Sequence, residues 1–96
     1  MAVEHIVWAK FNEGVSETKK TELIAGLKGL QEKVPGITRF TIGTNFTDRA
    51  KGFDLGFVVT LESKEALSIY AEHPEHVKVA IELKANAELM AFDYEF

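Results

Sequence analysis

Apolar and polar residues alternate with a period of two in four stretches of the chain, at positions 3–11, 37–43, 55–61 and 89–96. Successive side chains of a strand point to opposite faces, so this period predicts four β-strands. In the first stretch, Ile6 and Trp8 lie on the side opposite to Val7. Neither side of that strand therefore has the composition of a purely solvated face.

Two other segments carry apolar residues at helical spacing. The first begins after Ser16, a good N-cap residue, and ends at Pro35-Gly36, which predicts one amphipathic helix of about five turns. The second begins after Ser63 and is interrupted at His73-Pro74, where proline fits the first position of a new helix. The pattern then continues to about Ala85, so we expect a pair of helices there.

The order strand, helix, strand, strand, helix pair, strand is βαββαβ. It predicts an α+β, ferredoxin-like fold, in which a four-stranded antiparallel sheet carries its helices on one face and residues 1–96 form a single domain. The other face would expose Ile6, Trp8 and Val58. A large apolar patch on a small protein usually marks a partner surface, so we expect two sheets to pack face to face in a homodimer.

Composition excludes several classes of partner and site. The formal net charge of −4 disfavours nucleic acid and anionic membrane surfaces, and no apolar window approaches the length that spans a bilayer. Without cysteine the chain has neither a disulfide nor a thiolate metal site. We therefore expect a soluble, cytoplasmic protein that binds neither nucleic acid nor membrane.

The segment from Tyr70 to Val77 concentrates groups that transfer protons, including two of the three histidines. His76 is a candidate general base, since its spacing places it at the border of the buried helix face. Tyr70 is a candidate donor to an oxygen that gains negative charge. His5 faces the helices and is a candidate for positioning a substrate. The alternative is that these side chains only edge the core, each satisfied by a backbone carbonyl or by water.

His73 and His76 are three residues apart, a spacing that can place two imidazoles on one helix face beside a carboxylate from Glu72, Glu75 or Asp93. Pro74 between them makes His73 a helix-start residue with a different direction, so we expect no metal and no cofactor. Residues 44–53 are polar and predict a loop, in which Phe46 is a candidate residue for a lid or a pocket mouth.

Five motifs, spread over almost the whole chain, resemble the stress-responsive A/B-barrel, or Dabb, domain family. They are Val3-Glu4-His5-Ile6-Val7 with Lys10-Phe11, Val34-Pro35-Gly36, Phe57 to Glu62 followed by Ser63, Tyr70 with His73-Pro74-Glu75-His76-Val77, and Phe92-Asp93-Tyr94. The resemblance implies a dimeric α+β barrel. It also implies a pocket between sheet and helices, because polyketide cyclases of this family close a linear poly-β-keto thioester by intramolecular aldol condensation.

In that chemistry the catalytic tyrosine and histidine fall on Tyr70 and His76, and an N-terminal pocket histidine falls on His5. An aromatic pair that lines the pocket is replaced by Leu23 and Ile24, so the shape of the cavity and the substrate differ. The positions that we expect to contact a substrate are Leu23, Ile24, Leu27, Val59 and His73.

The sequence thus favours a cofactor-independent cyclase-like or lyase-like enzyme, which uses His/Tyr acid-base chemistry on a small hydrophobic, carbonyl-bearing, polyketide-like substrate. Two alternatives stay open. One is a non-catalytic stress-responsive or hydrophobic-ligand-binding dimer, and the other is a metal- or haem-dependent relative with the same barrel architecture.

Overall fold

Four strands and four helices follow one another in a computed structural model that describes all residues, 1–96. The elements are β1 (Val3–Phe11), α1 (Glu17–Lys28), α2 (Leu30–Lys33), β2 (Ile37–Thr44), β3 (Leu55–Leu61), α3 (Lys64–Glu72), α4 (Pro74–Asn86) and β4 (Ala87–Glu95). This confirms the α+β, ferredoxin-like fold that the hydrophobic pattern predicts. No helix has the length and apolar character needed to cross a membrane.

The four strands form one antiparallel sheet in the order β2-β3-β1-β4, so β1 is central and β4 is an edge strand. In this register His5 of β1 lies directly opposite Val59 on one side and Asp93 on the other. Residues that are directly opposite in a sheet share a face, so these three side chains lie on the same face. That face also carries the buried Val3, Val7 and Ala9, which confirms that His5 faces the helices.

The core lies between this face and the helices. Its fifteen buried residues include Leu23 and Leu27 of α1, Leu83 of α4, and alternate residues of β3 from Leu55 to Leu61. Tyr70 is the largest side chain among those that are fully buried. A tyrosine in that place brings one polar atom into an otherwise apolar layer.

The structure divides the helix that was predicted between Ser16 and Pro35. It begins as expected, since the Ser16 side chain accepts a hydrogen bond from the backbone N–H of Lys19 at 3.0 Å. It is interrupted at Gly29, whose N–H bonds back to the carbonyl of Ala25, and a short second helix follows. Glycine has a low helix propensity, because it loses more backbone conformational entropy in a helix than other residues, and this explains a break at this position.

Two strands also differ from the pattern. The register of β2 shifts between Ile37 and Arg39, where an extra residue interrupts the pairing with β3. A bulge of this kind changes which face the following residues occupy, so Ile37 packs on the core together with Phe40 instead of opposite to it. The last strand begins at Ala87, two residues before the predicted Leu89.

The opposite face of the sheet is uncovered in the single chain. Trp8 is 50% exposed there, and Met90, Phe92 and Tyr94 of β4 and the adjoining Phe96 are exposed as well. Ile6 faces Phe92 and Trp8 faces Met90 across the strands, so these side chains form a continuous surface, which we call the open face. It is the apolar face that the sequence predicts for a partner.

Candidate functional site

The junction between α3 and α4 positions the side chains of Tyr70 and His76 against each other. Ser63 caps α3, because its hydroxyl accepts from the N–H of Ala66 at 3.1 Å. His73 caps α4: its Nδ1 accepts from the N–H of Glu75 at 3.1 Å, and Pro74 takes the first helical position. The chain turns sharply at this junction, which brings the ring of His76 back over Tyr70, with 4.2 Å between the ring centroids.

Tyr70 is 1% exposed, and its hydroxyl is the only buried side-chain nitrogen or oxygen atom without a hydrogen-bond partner. An unpaired buried hydroxyl is costly, so native proteins keep few of them. Burial also raises the pKa of Tyr70 far above the ordinary value for a phenol. The Tyr70 hydroxyl is therefore a neutral hydrogen-bond donor without an acceptor.

His76 is half-buried and is held in one tautomer. Its Nδ1 lies 3.1 Å from the carbonyl oxygen of Ala71, which can only accept, so Nδ1 carries the proton. The second nitrogen, Nε2, is then an acceptor. Burial lowers the pKa of His76, against the opposing effect of the Ala71 hydrogen bond, and the nearby charge of His5 lowers it further. His76 is thus a neutral base at pH 7.

His5 approaches Tyr70 from the sheet. The two rings meet edge to face with 5.6 Å between their centroids. Nδ1 of His5 is hydrogen-bonded to Oδ1 of Asp93, and since an ionised carboxylate only accepts, that nitrogen also carries a proton. Both imidazoles are therefore oriented by a bond at Nδ1, one to a backbone carbonyl and one to a carboxylate.

Asp93 is the functional residue that the sequence reasoning missed, since it considered Asp93 only as a carboxylate for a metal. The alternation of residues in the last strand already predicts that Asp93 lies on the side opposite to the aromatic residues. Its pairing with His5 depends on the β1–β4 register, which places the two residues directly across from each other. Alternation within one strand does not determine that register.

The residues expected to contact a substrate differ in how deeply they are buried around this site. Leu23, Leu27 and Val59 are buried in the core, and Ile24 packs against it. Val59 is directly opposite His5 on the neighbouring strand. His73 is half-buried with Nδ1 occupied by the helix cap. Their contact with a substrate stays a prediction.

Two cavities lie away from Tyr70, His5 and His76. One of about 770 Å³ lies on the open face, beneath the loop between β2 and β3. The other, about 280 Å³, lies on the outer surface between α1 and α4 and touches Leu23. Neither is the pocket between sheet and helices that was expected, and the side chains around Tyr70 are packed together. The rings of His76 and His5, both half-buried, contact the Tyr70 ring.

The arrangement joins three elements of acid-base chemistry. A buried phenol can donate to an oxygen that becomes negative, Nε2 of His76 can accept a proton, and the His5 ring lies beside the same phenol. His73 and His76 do not form a metal site with a carboxylate. The structure brings no group of three or more His, Cys, Asp or Glu together in an arrangement that could hold a metal ion.

Comparison with known proteins gives a match over nearly the full chain. The model of the family described as "Stress responsive A/B Barrel Domain" matches residues 3–96. The chain is 34% identical to the stress-response A/B barrel domain-containing protein HS1 of Arabidopsis thaliana, over 97% of this chain and 88% of that protein. It is 31% identical to olivetolic acid cyclase of Cannabis sativa, over 98% and 96% of the respective chains.

Among solved structures, a dimeric ferredoxin-like protein of unknown function from Jannaschia sp. superposes with a TM-score of 0.87 and 28% identity, and each chain is covered completely. A second dimeric protein with this fold, from Bacteroides fragilis, has a TM-score of 0.82 and 25% identity over 99% of this chain and 96% of that one. Structural neighbours of this chain are therefore dimers.

Proposed function

This chain belongs to the stress responsive A/B barrel domain family, and on that basis we propose that it is a cofactor-independent enzyme of the cyclase or lyase kind. Its substrate is a small hydrophobic molecule that bears carbonyl groups, of a polyketide-like type. The observation that carries the proposal is the buried Tyr70 hydroxyl without a partner, on a ring that contacts two imidazoles whose Nδ1 atoms are both engaged. The likeness to olivetolic acid cyclase supports it.

In the proposed reaction, Nε2 of His76 takes a proton from a carbon between two carbonyl groups. The Tyr70 hydroxyl donates a hydrogen bond to the carbonyl oxygen that becomes the enolate oxygen. The enolate carbon forms a bond with the carbon of a third, more distant carbonyl group of the same molecule, and the alkoxide formed there takes back the proton from His76. His5, oriented by Asp93, positions the substrate.

The perturbed pKa values fit these roles. Burial raises the pKa of Tyr70, so the phenol keeps its proton and stays a donor. Burial lowers the pKa of His76, which keeps the imidazole neutral and available as a base at neutral pH. Titratable groups whose environments push them in opposite directions are typical of acid-base sites.

The test follows hydrogen–deuterium exchange at the acidic carbon of a 2-alkyl β-keto ester by NMR, with the rate without protein subtracted. Because this exchange needs only the base and the oxyanion donor, it does not require the natural substrate. We expect His76→Ala and Tyr70→Phe each to lower the protein-dependent rate by about 100-fold or more. Ser68→Ala, which removes an exposed hydroxyl from α3 away from the open face, should retain it.

Circular dichroism and sedimentation would show that the variants stay folded with the assembly state of the wild type. If His76→Ala and Tyr70→Phe both retain the full exchange rate, the proposed roles are wrong.

A second function, a non-catalytic dimer that serves as a stress-responsive or hydrophobic-ligand-binding protein, is favoured by one observation. Neither of the two cavities reaches Tyr70, His76 or His5. In this case the wild type would show no exchange above the rate without protein, even where NMR shows that the keto ester binds.

We also propose that the protein is a homodimer that buries the open face of each copy, as a dimeric α+β barrel. The exposed aromatic side chains of β4 and the dimeric state of the structural neighbours support this assembly. Sedimentation over a range of concentrations tests it, and a monomer at every concentration would contradict it.

A further inference from the structure

A hollow in the open face is created by two glycines. Gly43 of β2 lies directly opposite Gly56 of β3, so two neighbouring positions of the sheet have no side chain. A Cβ at Gly56 would contact the Trp8 ring at 3.6 Å, which places the pair on the same face as Trp8. A Cβ at Gly43 would meet no atom within 4 Å, so the space above it is empty.

The cavity of about 770 Å³ occupies this place, and we call it the glycine hollow. Its walls are Trp8, Met90 and Phe53, with 6.1 Å between the rings of Trp8 and Phe53. Phe46, Arg49 and Lys51 of the loop between β2 and β3 line it as well. It is a concave apolar surface with polar and cationic groups from the loop.

A convex surface lies on the same face. Phe92, Tyr94 and Phe96 project side by side from β4, and successive rings meet edge to face at 6.2 and 6.3 Å. All three are exposed, and Phe96 is 61% exposed. We call these three side chains the aromatic ridge. Each ring that becomes buried removes up to about 150–250 Å² from water, so the ridge is costly to leave uncovered.

The paired glycines of the hollow and the outer end of the ridge, Tyr94 and Phe96, lie at diagonally opposite corners of the open face. The sheet order places β2 and β4 at the two edges. The paired glycines lie near the end of β2 that leads into the loop, where the sheet also holds Trp8. The ridge lies toward the other end of β1, since Tyr94 is opposite Glu4.

From this placement we propose that the aromatic ridge of each copy inserts into the glycine hollow of its partner in the dimer. A two-fold axis that lies in the interface, perpendicular to the line from the paired glycines to the ridge, brings the ridge of each copy onto the hollow of the other. The same contact then forms twice, as an isologous interface requires. The two sheets then cross at a large angle, one of the two ways in which sheets pack face to face.

The inference rests on the homodimer proposed above and specifies which side chains form it. The test measures dimer dissociation of the full chain by sedimentation over a dilution series, for Gly43→Leu, Phe96→Ala and the double variant. Gly43→Leu places a side chain in the hollow, where its Cβ would meet no atom within 4 Å. Ile81→Ala is the matched control, because Ile81 is also 61% exposed but lies on α4, away from the sheet.

We expect Gly43→Leu and Phe96→Ala each to raise the dissociation constant at least tenfold, and Ile81→Ala to leave it unchanged. The effects of the first two should be less than additive in the double variant, since residues in contact couple. Trp8 is the only tryptophan and lines the hollow, so its emission should shift to longer wavelength as the wild-type dimer is diluted apart.

A dimer that stays as tight as the wild type in Gly43→Leu and Phe96→Ala would overturn this inference and leave the proposed homodimer intact. So would Trp8 emission that does not change when the dimer dissociates, because the hollow would then be empty or filled by something other than the partner. A wild type that is monomeric at every concentration would overturn both proposals. Circular dichroism shows whether Gly43→Leu folds, and Phe96→Ala tests the ridge independently of it.

Discussion

Tyr70→Phe is expected to stabilise the fold while it removes the proposed function. The change deletes one atom, the hydroxyl oxygen that is buried without a hydrogen-bond partner, and leaves the ring in the core. Burying an unpaired hydroxyl costs about 1–3 kcal/mol in proteins. Deletion of the oxygen leaves only a small gap, so we expect a net gain in the free energy of unfolding of about 1–2 kcal/mol.

Urea denaturation followed by circular dichroism measures this gain. For a slope of about 2 kcal/mol per molar urea, the middle of the range for small proteins, the midpoint should rise by roughly 0.5–1 M with no change in slope. The melting temperature should rise by about 4–8 °C for each kcal/mol in a domain of this size. All samples need the same protomer concentration, because dimer formation makes both midpoints concentration-dependent.

Ser68→Ala is the internal control, since it removes a hydroxyl at an exposed position of α3, away from the open face. We expect its stability to lie within about 0.5 kcal/mol of the wild type. If Tyr70→Phe instead lost 1 kcal/mol or more, the hydroxyl would have a partner in the folded protein. The phenol would then be a structural group, and the argument for an oxyanion donor would fail.

Three further results are expected. Leu27→Ala should cost about 2–5 kcal/mol in a urea melt, because Leu27 is a buried core residue, and a cost below 1 kcal/mol would show that it lines an open pocket instead. Ser63→Ala should lower the free energy of unfolding by about 0.5–2 kcal/mol, because α3 loses its N-cap. Ser68→Ala, inside the same helix, should lower it less, and equal effects would contradict the capping role of Ser63. The pKa of His76 is lowered in the folded state, so the unfolded chain binds the proton first and the free energy of unfolding should fall as the pH drops below about 6.5. His76→Asn should reduce the slope of the free energy of unfolding against pH. An unchanged slope would contradict the lowered pKa.

Much of the fold follows from local patterns. Ser16 and Ser63 cap their helices as their positions predict, and His73 with Pro74 begins α4. The same local logic places Tyr70 inside and His76 at the border of the buried face. These features depend on neighbours within one turn, so the sequence contains the information needed to predict them.

The features that could not be predicted depend on contacts between distant segments. The bulge near Ile37 is visible only once β2 is paired with β3, and the Asp93–His5 bond only once β4 is paired with β1. The missing partner of the Tyr70 hydroxyl is likewise a property of the packed core. The break at Gly29 had a local signal, a glycine in a helix, which the strong apolar spacing outweighed.

A crystal structure of the dimer with a bound 2-alkyl β-keto ester tests the central claim most directly. The proposed function predicts a carbonyl oxygen of the ligand at about 2.6–3.2 Å from the Tyr70 hydroxyl. It also places the acidic carbon about 3–3.5 Å from Nε2 of His76. A ligand bound only on the open face or between α1 and α4, with Tyr70 still enclosed by protein, would contradict it.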